Sequence, residues 1–296
     1  MPESKSILLD FRQLARRISI VENEVDGYRM LLKELDFNKI APVVGITGPP
    51  GAGKSTLVHA LLSVWVKQNK KVAIIAVDPT SPFNFGALLG DRIRLAPFFE
   101  HANVFIRSLA TRGSLGGLSH KIIEITDVVK TAGFDYVLVE TVGVGQSEVE
   151  IAGLADTTVV AMVPEAGDEI QTMKAGLMEI ADIFVVNKSD RPKATTFVQN
   201  LKKLVHQRPD NGWSIPVIPT VATTGEGIEE LTQTIDQHLQ SSVFSSRKPY
   251  LLTRKALQLI QQHRLKDVDE HALHRAILKS YQQDEFNLYA FAEQWF

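Results

Sequence analysis

The sequence predicts an α/β fold with a mostly parallel sheet covered by helices on both faces, plus N- and C-terminal helical extensions. Two observations predict it. From about residue 41 to 240, short β-branched runs alternate with amphipathic stretches, the pattern of strands joined by crossover helices and buried on both faces. A glycine-rich stretch stands between the first of those strands and the next helix, where an α/β sheet binds its ligands.

Residues 1–40 read as an N-terminal helical segment, because Leu8, Phe11, Leu14, Ile18 and Val21 recur at three- and four-residue steps with Arg12, Arg16 and Arg17 between them. Too short to be a domain, it is expected to pack on the central one. That central domain, 41–240, carries candidate strands at Val43–Thr47, Val72–Val77, Val104–Arg107, Tyr136–Glu140, Thr157–Val163, Ile183–Asn187 and Ile215–Thr220. Candidate helices are Ser55–Gln68, Leu118–Lys130, Glu169–Glu179, Thr195–Val205 and Gly227–Leu239. Ser241–Pro249 resembles a linker, and the C-terminal segment 241–296 is otherwise helical, with Leu252, Leu259, Ile260, Ile277, Tyr281, Phe286 and Phe291 as apolar anchors. A piece of this size is expected to pack on the core or on a second subunit.

Composition narrows the function. The 296 residues include no cysteine, which excludes disulfides, thiolate metal sites and cysteine nucleophiles. Lys and Arg number 32 against 34 Asp and Glu, so no basic excess marks a nucleic-acid binder. No apolar run reaches the roughly 18 residues of a membrane span, and Glu3 and Asp10 interrupt any leader-like start. A cytoplasmic protein without nucleic-acid or membrane partners is the expectation.

Gly48-Pro49-Pro50-Gly51-Ala52-Gly53-Lys54-Ser55, followed by Thr56, matches the phosphate-loop pattern G-x-x-x-x-G-K-[ST] between a strand and a helix. Its glycines let backbone N–H groups curl around anionic oxygens at a helix N-terminus. Lys54 is placed to reach the β- and γ-phosphates, and the Ser55 hydroxyl to coordinate Mg²⁺.

Asn187-Lys188-Ser189-Asp190 follows a strand and has the N-K-x-D form that reads guanine in phosphate-loop GTPases. The Asp190 carboxylate can accept from the ring N–H and exocyclic amine of guanine, whereas adenine presents the opposite arrangement. Val221-Ala222-Thr223 lies where such proteins touch the base carbonyl; with Val221 in place of the usual serine, backbone contact alone is expected. Carboxylates for Mg²⁺ are sought at strand ends: Asp78, Asp91 in a glycine-bounded loop, and Glu140, which opens the E-x-x-G stretch Glu140-Thr141-Val142-Gly143. Gly143 is expected to donate its N–H to the γ-phosphate.

Longer blocks make the resemblance specific. Val77-Asp78-Pro79-Thr80-Ser81-Pro82, Gly86 to Arg92, Ile106 to Gly113, Glu140 to Ser147 and Ala166-Gly167-Asp168-Glu169 resemble the methylmalonyl-CoA mutase-associated GTPases of the MeaB/ArgK type. The likeness covers nearly the whole chain, including Ala15 to Asn23. It implies a phosphate-loop GTPase of the metallochaperone group that gates adenosylcobalamin delivery to an acyl-CoA mutase and protects it. It further implies a homodimer held by C-terminal helices, GTP or GDP as ligand, and Mg²⁺ near Ser55, Asp78, Asp91 and Glu140. A third switch loop, Glu165 to Lys174, would meet the mutase through Asp168 and Lys174. Lys54 and Lys174 are the candidate catalytic cations. Glu165 departs from the small or polar residue usual in the family and adds charge to that presumed surface.

In Ras-like enzymes a glutamine directly after the D-x-x-G glycine orients the attacking water; here Val144 holds that position and Gln146 lies two residues on. Slow intrinsic hydrolysis, quickened by the mutase, is therefore expected, with Arg107 and Arg112 as further candidate cations. The chain is not expected to hold cobalamin itself, because His274 stands where the cobalamin-binding D-x-H-x-x-G has glycine. Alternatives are a nickel-insertion GTPase, for which soft or clustered imidazole ligands are missing, and an ATPase linked to basic amino-acid transport, against which the guanine-reading loop argues.

Overall fold

A computed structural model describes residues 10–78, 95–110, 121–141, 147–164, 175–206, 212–241, 247–265, 268–281 and 286–295. Its centre is a seven-stranded parallel sheet: β1 (Val43–Thr47), β2 (Val72–Asp78), β3 (Val104–Ala110), β4 (Tyr136–Glu140), β5 (Thr157–Met162), β6 (Ile183–Val186) and β7 (Val217–Pro219). The spatial order is β3-β2-β4-β1-β5-β6-β7. β1 thus lies between β4 and β5, with the earlier and later strands on opposite sides of it. Its carboxyl end is a point where the direction of strand addition reverses, which opens a crevice for ligand.

Burial explains why the strands read as unbroken apolar runs. β1, β4, β5 and β6 are buried along their whole lengths. Successive side chains alternate between two apolar layers. Ile46, Ile74, Leu138, Val159 and Val185 pack with Leu57, Leu61 and Trp65 of helix α3 (Lys54–Lys67) and with Leu231 and Ile235 of α8 (Ile228–Gln240). On the other face Val160, Met162, Phe184 and Val186 meet α6 (Ala175–Ile180) and α7 (Ala194–His206). Helix α5 (Ser147–Leu154) lies so close over β1 that a Cβ on Gly45 would stand 2.8 Å from the Ile151 side chain.

The N-terminal helices α1 (Phe11–Glu22) and α2 (Tyr28–Lys33) pack against α4 (Ile122–Lys130). Asp10 caps α1 by accepting from the Arg12 and Gln13 N–H groups. Leu14, Ile18 and Val21 are buried, while Phe11 meets the rings of Phe105 and Phe134. From Phe11 to Val21 the helical period read from the sequence is therefore the period of a packed face, and Leu8 lies outside the described residues.

Chain contacts divide the molecule into Met1–Lys248 and Pro249–Phe296. The latter holds most of α9 (Arg247–Arg264), with α10 (Glu270–Tyr281) and α11 (Leu288–Glu293). Its rings form a ladder, Tyr281–Phe286–Phe291–Trp295, with centroid spacings of 5.6, 5.8 and 6.4 Å. Leu252, Leu259 and Ile260, expected as anchors, are exposed in the single chain because so small a helical unit buries few of its faces. Among the described residues no helix is long and apolar enough to cross a membrane.

Most elements fall where the residue pattern places them. β3 runs three residues beyond Arg107, and β7 is shorter than Ile215–Thr220. The first part of the expected Glu169–Glu179 helix lies outside the described residues.

Candidate functional site

The phosphate-loop residues 48–53 connect β1 to α3 at the carboxyl edge of the sheet. Gly48 and Gly53 have φ of +138° and +83°. A side chain on Gly48 would collide with the Ala161 carbonyl of β5, and one on Gly53 with the Asn187 carboxamide. Glycine is required at both by close approach as well as by backbone conformation. Gly53 provides no side-chain cap to α3, so the first-turn N–H groups of a fourteen-residue helix face the loop without a competing hydroxyl or carboxylate from the cap. Pro50 and Gly51 are exposed, Ala52 is buried, and Pro49 and Thr56 are half-buried.

The next side chains converge. Lys54 is buried, and its ammonium donates to the carbonyls of Gly48 (3.0 Å) and Pro49 (3.1 Å), across the mouth of the loop. Ser55 donates its hydroxyl to Glu140 Oε1 at 2.7 Å, with both residues buried. Asp78 ends β2 at the same edge of the sheet, in register with Ala110. Asp91, Gly143, Lys174, Arg112, Val144, Gln146, Glu165 and Asp168 lie outside the described residues.

The N-K-x-D turn follows β6, two strands from the phosphate loop, and Asn187 bridges the gap. Its Nδ2 donates to the Ala52 carbonyl at 2.9 Å, while Oδ1 accepts from the Ala222 N–H at 3.1 Å and the Thr220 hydroxyl at 3.3 Å. One carboxamide, 2% exposed, thus joins three loops that are far apart in sequence. Lys188 adopts a left-handed φ of +58° and donates its ammonium to the Gly51 carbonyl at 2.8 Å. The Ser189 N–H donates to the Thr220 carbonyl, and Ser189 Oγ to that of Val186. Asp190 and Thr223 are exposed, and Val221 closes its turn by donating to the Glu226 carbonyl at 3.0 Å.

Arg107, a candidate cation by sequence, is engaged elsewhere. Its Nη2 donates to Glu22 Oε2 at 2.5 Å and to Ser19 Oγ at 3.4 Å, so the guanidinium fastens α1 to β3.

These loops have the arrangement of a P-loop NTPase nucleotide site, and the match to known families is direct. A model of the methylmalonyl Co-A mutase-associated GTPase MeaB matches residues 14–274. The chain belongs to the MeaB family of GTPases.

Relatives agree. A candidate GTPase of Pyrococcus horikoshii is 49% identical over 236 residues, covering 77% of this chain and 74% of its own. GTPase ArgK of Escherichia coli is 33% identical over 269 residues, 87% of this chain and 81% of its own. The mouse mitochondrial methylmalonic aciduria type A homolog is 39% identical over 199 residues, 65% of this chain and 48% of its own. Among solved structures, an LAO/AO transport system kinase superposes with a TM-score of 0.69 at 26% identity, over 97% of this chain and 92% of that one. HypB from Helicobacter pylori, solved with nickel, shares the fold at a TM-score of 0.50 and 15% identity, over 79% and 98%.

Three threonines of the site carry no signal of their roles in the linear sequence. Thr220 has its place through Asn187, and Thr47 and Thr141 meet hydroxyl to hydroxyl behind the loop. Thr47 directly precedes the phosphate loop and Thr141 lies within the E-x-x-G stretch, but nothing in linear spacing shows that the ends of β1 and β4 are neighbours.

Proposed function

We propose that this MeaB-family GTPase binds and hydrolyses GTP to gate adenosylcobalamin delivery to, and to protect, an acyl-CoA mutase of the methylmalonyl-CoA mutase type. The observation that carries the nucleotide assignment is the Asn187 carboxamide, which ties the base-reading turn to Ala52 in the phosphate loop and to Ala222 in the Val221-Ala222-Thr223 loop. In this reading residues 48–56 cradle the phosphates, Asn187, Lys188 and Asp190 hold the guanine, and 221–223 close over the base through backbone groups. Gly143 contacts the γ-phosphate.

Mg²⁺ fits the donor set. Ser55 Oγ and Glu140 Oε1 are hard oxygens 2.7 Å apart, and such an ion takes one or two side chains together with phosphate and water. Asp78 and Asp91 complete the proposed surroundings. When bound, the ion neutralises charge developing on the phosphates. Lys54 contributes the fixed positive charge beside it, and Lys174 is the second proposed cation. Hydrolysis is slow until the mutase orders the remaining groups, because Val144 replaces a water-orienting glutamine.

The mutase partnership rests on the family match, whose model is described as methylmalonyl Co-A mutase-associated. Exposed Leu252, Leu259 and Ile260 support a homodimer through the C-terminal helices, and in this reading the chain holds no cobalamin itself, since His274 stands at the glycine position of D-x-H-x-x-G. The absence of any cysteine favours this reading over nickel insertion.

Co-purification tests it. Adenosylcobalamin-dependent acyl-CoA mutases should be retained by the tagged protein differently under GDP, a non-hydrolysable GTP analogue and no nucleotide. Retention of none of them under any condition would contradict the partnership.

A further inference from the structure

The geometry points to Thr141 as a positioning residue for the Mg²⁺ site, acting through Glu140; this rests on the nucleotide reading above. Thr141 is the first residue beyond β4, and Thr47 is the last residue of β1 before the phosphate loop. The Thr141 N–H donates to the Ile46 carbonyl at 3.1 Å, extending the parallel register one step past the strand. Its hydroxyl donates to Thr47 Oγ1 at 3.0 Å. The two threonines are 1% and 0% exposed, so water cannot replace that bond if it is lost. Glu140 directly precedes this double anchor, and its carboxylate meets Ser55 at 2.7 Å.

The consequence is a closed ring of short links. Thr47 leads into the phosphate loop, which leads to Ser55; Ser55 holds Glu140; Glu140 is bonded to Thr141; and Thr141 returns to Thr47. Thr141 is also where the chain leaves the sheet toward the E-x-x-G glycine. The hydroxyl pair therefore keeps whatever happens beyond residue 141 from displacing the Glu140 backbone. It acts on the ion site by orientation, without touching nucleotide or metal. Groups that orient a metal's ligands commonly change its affinity by about 10- to 100-fold when removed, and one bond further away a smaller effect is expected.

The test compares wild type with Thr141→Val, which keeps the shape and removes the hydroxyl, and Thr141→Ser, which restores it. The readouts are the Mg²⁺ concentration giving half-maximal GTP hydrolysis, the affinity for GDP in EDTA, and thermal stability. The expected result is a rise of about 5- to 10-fold in the Mg²⁺ requirement for the valine variant, with GDP affinity in EDTA unchanged and recovery in the serine variant. A valine variant with lowered thermal stability but a wild-type Mg²⁺ requirement would overturn the proposal, leaving Thr141 a packing residue. If instead the wild-type protein itself shows no Mg²⁺-dependent GTP hydrolysis, the nucleotide reading falls and the inference with it. Thr47→Val should reproduce the Thr141→Val shift; a wild-type Mg²⁺ requirement there would overturn the pairing.

Discussion

The Ser55 hydroxyl lies 2.7 Å from Glu140 Oε1, joining the first turn of α3 to the last residue of β4. These positions are 85 residues apart in sequence, and the link is buried. It presents two hard oxygens together at the carboxyl edge of the sheet, beside a lysine whose ammonium spans the phosphate loop.

Glu140→Gln should keep the hydrogen bond to Ser55 and remove the charge. The Mg²⁺ requirement for GTP hydrolysis is expected to rise by at least about 10-fold, with little loss of thermal stability. A metal titration of the hydrolysis rate checks this; an unchanged requirement would remove Glu140 from the ion site.

Asn187→Ala should leave the Ala52 carbonyl and the Ala222 N–H without their side-chain partner. Buried groups so exposed cost about 1–3 kcal/mol, and guanine nucleotide affinity should fall together with stability. Chemical denaturation and nucleotide titration of the same variant measure both. Stability lost without any loss of affinity would make Asn187 a brace only.

Arg107→Met should lower stability by about 1 kcal/mol, since its pairing with Glu22 is partly exposed. GTP hydrolysis per folded molecule is expected to stay at the wild-type rate, because the guanidinium is engaged with α1. A large fall in hydrolysis at constant nucleotide affinity would restore Arg107 as a catalytic cation.

At the opposite end of β4, Tyr136 donates its hydroxyl to Asp236 Oδ1 at 2.7 Å and stacks on Trp65. Burial first, and then the bond to Asp236, hold the phenol well above its ordinary pKa of 10.0. The folded state therefore keeps a proton that the unfolded chain gives up. This contribution is fully present below pH 10 and is lost as pH rises above it, with a slope approaching about 1.4 kcal/mol per pH unit. Tyr136→Phe should remove that part of the alkaline loss, as seen by denaturation at pH 8 to 11. An identical alkaline profile in the variant would contradict the assignment.

Legibility in the sequence divides along physical lines. β1, β4 and the start of α3 are local structures: a β-branched run, then glycines at left-handed positions, then an amphipathic helix, each encoded by its own residues. The three nucleotide-loop motifs could be recognised singly for the same reason. Their meeting could not be read from spacing, because Asn187 reaches Ala52 only after β5 is inserted between β1 and β6. Arg107 shows the same limit from the other side. Its motif position suggested a cation for phosphate, but α1, some 85 residues earlier, supplies Glu22 to it. The threonine pair behind the loop required the strand order as well, since hydroxyls at the ends of β1 and β4 look ordinary until the strands are neighbours.

The central claim is that guanine is read by Asp190 while its phosphates rest on the loop at Lys54. Calorimetric titration of wild type and Asp190→Asn with GDP, ADP and xanthosine diphosphate, each with Mg²⁺, tests it directly. The wild type should bind GDP and not ADP, and the variant should lose GDP affinity while gaining xanthosine diphosphate. Equal affinity of the wild type for ADP and GDP, or a variant whose preference does not move, would contradict the account.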